Sequence, residues 1–195
     1  MASYVAVDVE STGMNPRKDR IVAIAIALLD ADLNVENTLM QRFEPGILIP
    51  AEAVARHGIT NEAVKGLGMF KDVAQRVRAL LLKRPVVGYN VNFDLSIIHH
   101  ELQRAGLAGF PPNLPVVDPF RIFCNEHPRT LTAALQSYCG KPHPRAHDPL
   151  EDVLATVEVL KAQLATRNVK SPSVPGIQGT WSLPAPGNLQ SGVMM

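Results

Sequence analysis

YVAVDVESTG, residues 4–13, decides the reading of this 195-residue chain. Residues 4–9 are apolar apart from Asp8 and rich in β-branched side chains, which marks a strand. Ser11-Thr12-Gly13 then breaks the run with turn chemistry. Successive side chains of a strand point to opposite faces. Asp8 and Glu10 therefore share one face, and Val7 and Val9 take the other. Two carboxylates side by side at a strand's end repel each other unless a cation sits between them. Hard cations such as Mg²⁺ and Mn²⁺ prefer oxygen ligands of this kind. A solvated strand end presents the same pair, so these two residues by themselves leave both alternatives open. Ser11-Thr12-Gly13 adds backbone N–H groups and hydroxyls that can meet the end of a ligand.

Outward from this stretch, residues 20–29 read as a second strand, and its apolar run over 21–29 is nine residues long. A membrane-spanning helix needs about 20, so the run is a buried strand and no membrane association is expected. Asp30-Ala31-Asp32 makes a turn, and 35–43 reads as a third strand, giving an antiparallel meander. From residue 51 the period becomes helical: short pieces at 51–56 and 60–65, then a helix over 69–82 stopped before Pro85. A short buried strand at 86–89 leads to a helix at 92–105, with Leu95, Ile98 and Leu102 on one face and Asn90 or Asn92 as cap. Val116-Val117 is a short strand, and 131–138 a helix between Thr130 and Gly140. Asp148 caps the last helix, Pro149 suits its first position, and Leu150, Val153, Leu154, Val157, Leu160 and Leu164 form its apolar stripe. The expected fold is α/β: a mixed sheet of three antiparallel strands and then short parallel strands, flanked by helices. Residues 168–195 hold four prolines, four glycines and no acidic residue. They read as a flexible Pro/Gly-rich tail after a domain of residues 1–167.

Composition agrees with a globular chain, 46% hydrophobic and 19% charged. A net charge of +1 argues against coating many duplex phosphates. It still suits an enzyme that grips a short strand end, with metal ions supplying local positive charge. No basic segment leads into an apolar one at the N-terminus, and Cys124 and Cys139 read as free thiols, so a cytoplasmic location is expected.

Two further segments carry acid groups. In Gly88-Tyr89-Asn90-Val91-Asn92-Phe93-Asp94, Asp94 falls in a helix's first turn, where by itself it does no more than favour the helix dipole. In His147-Asp148-Pro149-Leu150-Glu151-Asp152, Asp152 lies beside the apolar stripe, where a carboxylate is costly unless compensated. A metal would compensate it; an exposed acidic turn with Asp148 and Glu151 would avoid the cost. His143 and His147 are four apart but lie among prolines, and neither cysteine is at zinc-ligand spacing, so His143 reads as an exposed loop residue.

Asp-x-Glu on the first strand, Asn-x-x-x-Asp after a later strand and His-x-x-x-x-Asp near the end occur in one order with fitting secondary structure. This constellation resembles the DEDD exonuclease superfamily in its histidine-containing DEDDh branch, and within it the proofreading exonuclease (epsilon) subunits of bacterial replicative DNA polymerases. The resemblance covers about residues 3–165, and His57-Gly58-Ile59-Thr60 and Asp118 agree with it. It implies a ribonuclease-H-like fold and 3′→5′ hydrolysis of single-stranded nucleic acid ends, DNA preferred, to nucleoside 5′-monophosphates. It implies Asp8, Glu10, Asp94 and Asp152 as ligands of two Mg²⁺ (or Mn²⁺) and His147 as general base. Ser11, Thr12 and Gly13 would lie along the 3′-terminal nucleotide, His57 near its base or sugar, and Asn90 would support the site. Ser11 stands where members often have Thr, and Asp148-Pro149 is less usual and adds a carboxylate beside His147. Two metals about 4 Å apart can serve the attacking and leaving oxygens. A histidine base with a pKa near 6.5 predicts activity rising through roughly pH 6–8. RNA-directed relatives of the oligoribonuclease or RNase T type share these motifs. A non-catalytic interaction module would have lost a ligand, whereas all five positions are filled. In proofreading subunits the segment after the nuclease domain tethers it to the polymerase. Trp181, Leu183 and residues 190–195 therefore read as a segment for docking DNA polymerase or a sliding clamp, or as a tail with no partner.

Overall fold

Two runs of β-branched residues start the sheet. Strand β1 (Tyr4–Ser11) and strand β2 (Ile21–Leu29) pair antiparallel, from Tyr4 opposite Leu29 to Ser11 opposite Ile21. The computed structural model describes residues 3–123, 130–166 and 178–181. Strand β3 (Val35–Arg42) lies antiparallel on the other edge of β2. Strands β4 (Val86–Val87) and β5 (Leu114–Val117) extend the sheet in parallel with β1. The order is β3-β2-β1-β4-β5-β6, the expected α/β arrangement of antiparallel and then parallel strands.

Strand β2 is covered on both faces, which is why its sequence is a continuous apolar run with no alternation. Strand β1 divides its side chains between two cores. Val5, Val7 and Val9 meet Leu95, Ile98 and Leu102 of the helix Asn92–Arg104, whereas Tyr4 and Ala6 meet Val153, Val157, Leu160 and Leu164 of the helix Pro149–Thr166. Burying each of these four aliphatic side chains contributes about 1.5–3 kcal/mol. That stripe fixes the C-terminal helix against the sheet, and so fixes where its first turn lies.

In chain order the α-helices are α1 (Ala51–His57), α2 (Asn61–Val64), α3 (Ala74–Leu82), α4 (Asn92–Arg104), α5 (Pro119–Phe123), α6 (Leu131–Cys139) and α7 (Pro149–Thr166). Thr60 and Thr130 cap α2 and α6 by accepting from Ala63 N and Ala133 N. None of the described helices is long and apolar enough to cross a membrane.

Three expectations change. The helix expected over 69–82 is divided into a 3₁₀ turn at Phe70–Asp72 and α3. The Asp72 carboxylate accepts from Met69 N at 2.8 Å, a local bond that competes with the continuous helical ladder. Helix α4 is not capped by Asn90 or Asn92; its N-cap is Val91, with no side-chain bond. Asn90 instead adopts φ 56, a left-handed conformation that asparagine tolerates. Within the expected tail, strand β6 (Gln178–Trp181) pairs antiparallel with β5, and Trp181 is 1% exposed. Its ring packs 5.7 Å from Phe110 and 5.8 Å from His99. β6 covers backbone groups that β5 would otherwise present as an open edge, so this segment belongs to the folded sheet and Trp181 to its core. The rest of 168–195, and Cys124, lie outside the described residues.

Candidate active site

The site begins with a missing strand partner. Strand β4 is two residues long and meets β1 only at Val5 and Ala6, so beyond them that edge of β1 faces no strand. The N–H of Val9 on that edge donates instead to Asp94 Oδ1 at 3.1 Å. An unsatisfied buried N–H costs about 1–3 kcal/mol, so the short strand and the carboxylate of α4's first turn go together. The turn from β4 into α4 needs Gly88, where a Cβ would collide with the Val91 side chain.

Asp8 and Glu10 lie on the face of β1 that α7 covers. Asp148 caps α7, its Oδ1 accepting from Leu150 N at 3.1 Å and Glu151 N at 3.2 Å. The first turn of α7 carries Asp152 to the end of β1, and the preceding loop brings His147. His147 has φ 71, a conformation that strains a non-glycine residue. In it, the backbone N–H of His147 donates to both oxygens of Asp152, at 3.2 and 3.3 Å. One ligand atom each from Glu10, His147 and Asp152 lies within 4.8 Å of the others.

Burial and mutual repulsion set the charges. Burial, and then Asp94, Asp152 and Glu10, push Asp8 well above the usual carboxylate range. Glu10 is raised to about 9 by burial and by Asp152 and Asp94, against the opposing pull of Arg56. Burial lifts Asp94 to about 7 despite the Val9 N–H, and Asp152 to about 7 despite the His147 N–H. Carboxylates that cannot all ionise together are relieved by a divalent cation. Hard oxygens with a single imidazole suit Mg²⁺ or Mn²⁺ better than a thiolate-seeking ion, so the residues present fit the metals the resemblance implies. Burial, and then Arg56, lower the pKa of His147 and leave its ring neutral near pH 7.

The expected substrate contacts divide. His57, at the end of α1, lines a cavity of about 190 Å³ together with Arg42, Arg145 and His147. Its Nε2 lies 3.3 Å from the Ser11 carbonyl, and its Nδ1 accepts from Ile59 N. Ser11 Oγ donates to the Gly13 carbonyl at 2.7 Å. The Thr12 hydroxyl donates to Asp19 Oδ1 and accepts from Arg20 N, both at 3.0 Å, and so holds the turn after β1 together. Asn90 is held through its backbone N–H, which donates to the buried Asp118 at 2.9 Å; burial raises Asp118 to about 6.

Sequence reasoning missed the basic rim of Arg42, Arg56 and Arg145, whose members come from separate elements with no shared spacing. It also misplaced His143, whose side chain is 5% exposed with Nε2 3.0 Å from Asp152 Oδ1. Helix α6 packs on α7 through Ala134, Leu135, Ala155 and Val159. Turn bonds from Ala146 N to His143 O and from Asp148 N to Arg145 O fold the connecting loop back over the start of α7.

The fold is ribonuclease-H-like, with the acidic centre at the end of β1. The family model described as Exonuclease matches residues 5–160, and the chain belongs to that exonuclease family. It is 29% identical over 166 residues to the 3′-5′ exonuclease DinG of Bacillus subtilis, covering 81% of this chain and 18% of DinG. It is 31% identical over 123 residues to ribonuclease T of Shewanella frigidimarina, covering 55% of this chain and 56% of that protein. Escherichia coli exonuclease I in complex with a dT13 oligonucleotide has the same fold, with a TM-score of 0.74 at 22% identity over 86% of this chain and 42% of that one. The chain thus spans less than two thirds of the length of each of these proteins.

Proposed function

We propose that the chain removes nucleotides one at a time from the 3′ end of single-stranded DNA, releasing nucleoside 5′-monophosphates. The observation that carries this reading is the meeting of Asp8, Glu10, Asp94, Asp152 and His147 at one end of β1, with the four carboxylates raised in pKa by burial. Asp8, Glu10, Asp94 and Asp152 would hold two Mg²⁺ or Mn²⁺, which supply a more acidic water and stabilise charge on the phosphoryl oxygens. His147, neutral near pH 7, accepts the proton of the attacking water at its ring nitrogen. The Asp152 carboxylate holds the His147 backbone and so aims that ring. Arg42, Arg56 and Arg145, exposed beside the acidic centre, offer charge-assisted hydrogen bonds to the strand's phosphates. The cavity beside His57 takes the terminal sugar or base; Ser11, whose carbonyl lies 3.3 Å from His57 Nε2, Thr12 and Gly13 run along that nucleotide, and Asn90 supports the site. Three such arginines fit a grip on a short strand end, in keeping with the near-neutral net charge.

DNA is favoured by the dT13 oligonucleotide bound to exonuclease I. Ribonuclease T supports a second reading, an RNA end as substrate. A degradation ladder on 5′-labelled and 3′-labelled single strands of DNA and RNA, with Mg²⁺, Mn²⁺ or EDTA, tests both. The expected result is a stepwise ladder from the 5′ label, early release of the 3′ label as mononucleotide, and arrest by EDTA. Internal cuts, or activity undiminished in EDTA, would refute the reading; faster loss of RNA would select the second. Docking to a polymerase or clamp would fall to residues 182–195, because Trp181 is committed to the core. A pull-down with and without those residues decides it, and equal capture ends the idea.

A further inference from the structure

The loop between α6 and α7 buries an imidazole without a hydrogen-bond partner. The His143 side chain is 5% exposed, and neither ring nitrogen makes a hydrogen bond. Leaving a buried polar group unpaired costs about 1–3 kcal/mol, which makes histidine a poor choice if the position served packing alone. The ring nevertheless stops beside one acceptor: Nε2 is 3.0 Å from Asp152 Oδ1, with its N–H turned off the line between them. Pro142 and Pro144 flank it and narrow the backbone conformations open to it.

We infer that His143 is a positioning residue for the metal ligand Asp152: its Nε2–H closes onto Oδ1 and holds that carboxylate at the angle a bound cation needs. The histidine χ2 torsion is broad, so a modest ring rotation completes the bond. Asp152 is then held from two sides, by the His147 N–H and by the His143 ring. Partners of this kind behind a metal ligand typically change metal affinity 10- to 100-fold. The inference rests on the metal-dependent reading above and extends it to a residue outside the five-residue centre.

Mn²⁺ binding to the full chain without nucleic acid, followed by the paramagnetic resonance signal of free Mn²⁺, tests it. Wild type, His143→Ala and His143→Gln are compared after circular dichroism shows each to be folded. Glutamine keeps a side-chain N–H donor. His143→Ala should weaken Mn²⁺ binding about 10- to 100-fold, and His143→Gln should recover most of the loss. In an Asp152→Asn background, His143→Ala should add nothing. Wild-type affinity in His143→Ala, a glutamine variant no better than alanine, or an additive loss in the double variant would overturn the inference and leave the metal reading standing. A wild-type chain that binds no Mn²⁺ would overturn both.

Discussion

Replacing Glu10 with glutamine keeps the shape of a buried side chain and removes its charge. Glu10 is 7% exposed, and burial with its acidic neighbours raises it from 4.5 to about 9. In metal-free protein at pH 7.5, the unfolded chain carries Glu10 ionised, whereas the folded chain must protonate it. Protonation about three pH units above the ordinary value costs about 4 kcal/mol. Glutamine escapes that cost. The repulsion is shared with Asp8, Asp94 and Asp152, so relieving one group also relaxes the others, and the expected gain is about 1–3 kcal/mol. For a chain of this length that is roughly 2–12 °C in Tm. The sign follows from linkage: a carboxylate whose folded pKa is raised contributes stability that is present below its unfolded pKa and lost as pH rises through its folded one. Wild type should therefore lose stability relative to Glu10→Gln between about pH 4.5 and 9. Thermal unfolding in EDTA across that range measures the gap. Equal or lower Tm for Glu10→Gln at pH 7.5, or a gap that does not change with pH, would refute the reasoning. With saturating Mn²⁺ the order should reverse, because only the folded wild-type site binds the ion tightly.

Asp94 does two things that paired substitutions separate. Asp94→Asn and Asp94→Ala should both abolish hydrolysis, but the asparagine oxygen can still accept from Val9 N–H, so Asn should be more stable than Ala by about 1–3 kcal/mol in urea unfolding. His147→Ala should lower kcat about 10²- to 10⁴-fold. The acid limb of the wild-type pH–rate profile should have its midpoint below 6.5, because burial and Arg56 lower the His147 pKa and the base is free at lower pH; a midpoint above 7 would contradict this. Trp181→Ala should cost about 3–5 kcal/mol in equilibrium unfolding, and an unchanged midpoint would show that β6 contributes nothing to the folded core.

The order of elements was legible along the chain, because it depends on short-range periodicity; the acid groups stand out there as candidates through the motif order that resembles the exonuclease superfamily. Strand period two put Asp8 and Glu10 on one face, and helix period 3.6 put Val153, Val157, Leu160 and Leu164 in one stripe. The caps at Thr60, Thr130 and Asp148 are likewise local and were read correctly. The bond from Val9 to Asp94 was not legible, since it depends on β4 ending at Val87 and on α4 packing 85 residues away along the chain. Nor were the burial of His143 and the strand at Gln178–Trp181, because each is decided by a surface assembled elsewhere: the first turn of α7 for one, the open edge of β5 for the other. Along the chain, residue type and motif order name the candidate acid and base groups. Their charge is set by the folded chain, because pKa follows burial and the distance to other charges, and neither exists until the chain has folded.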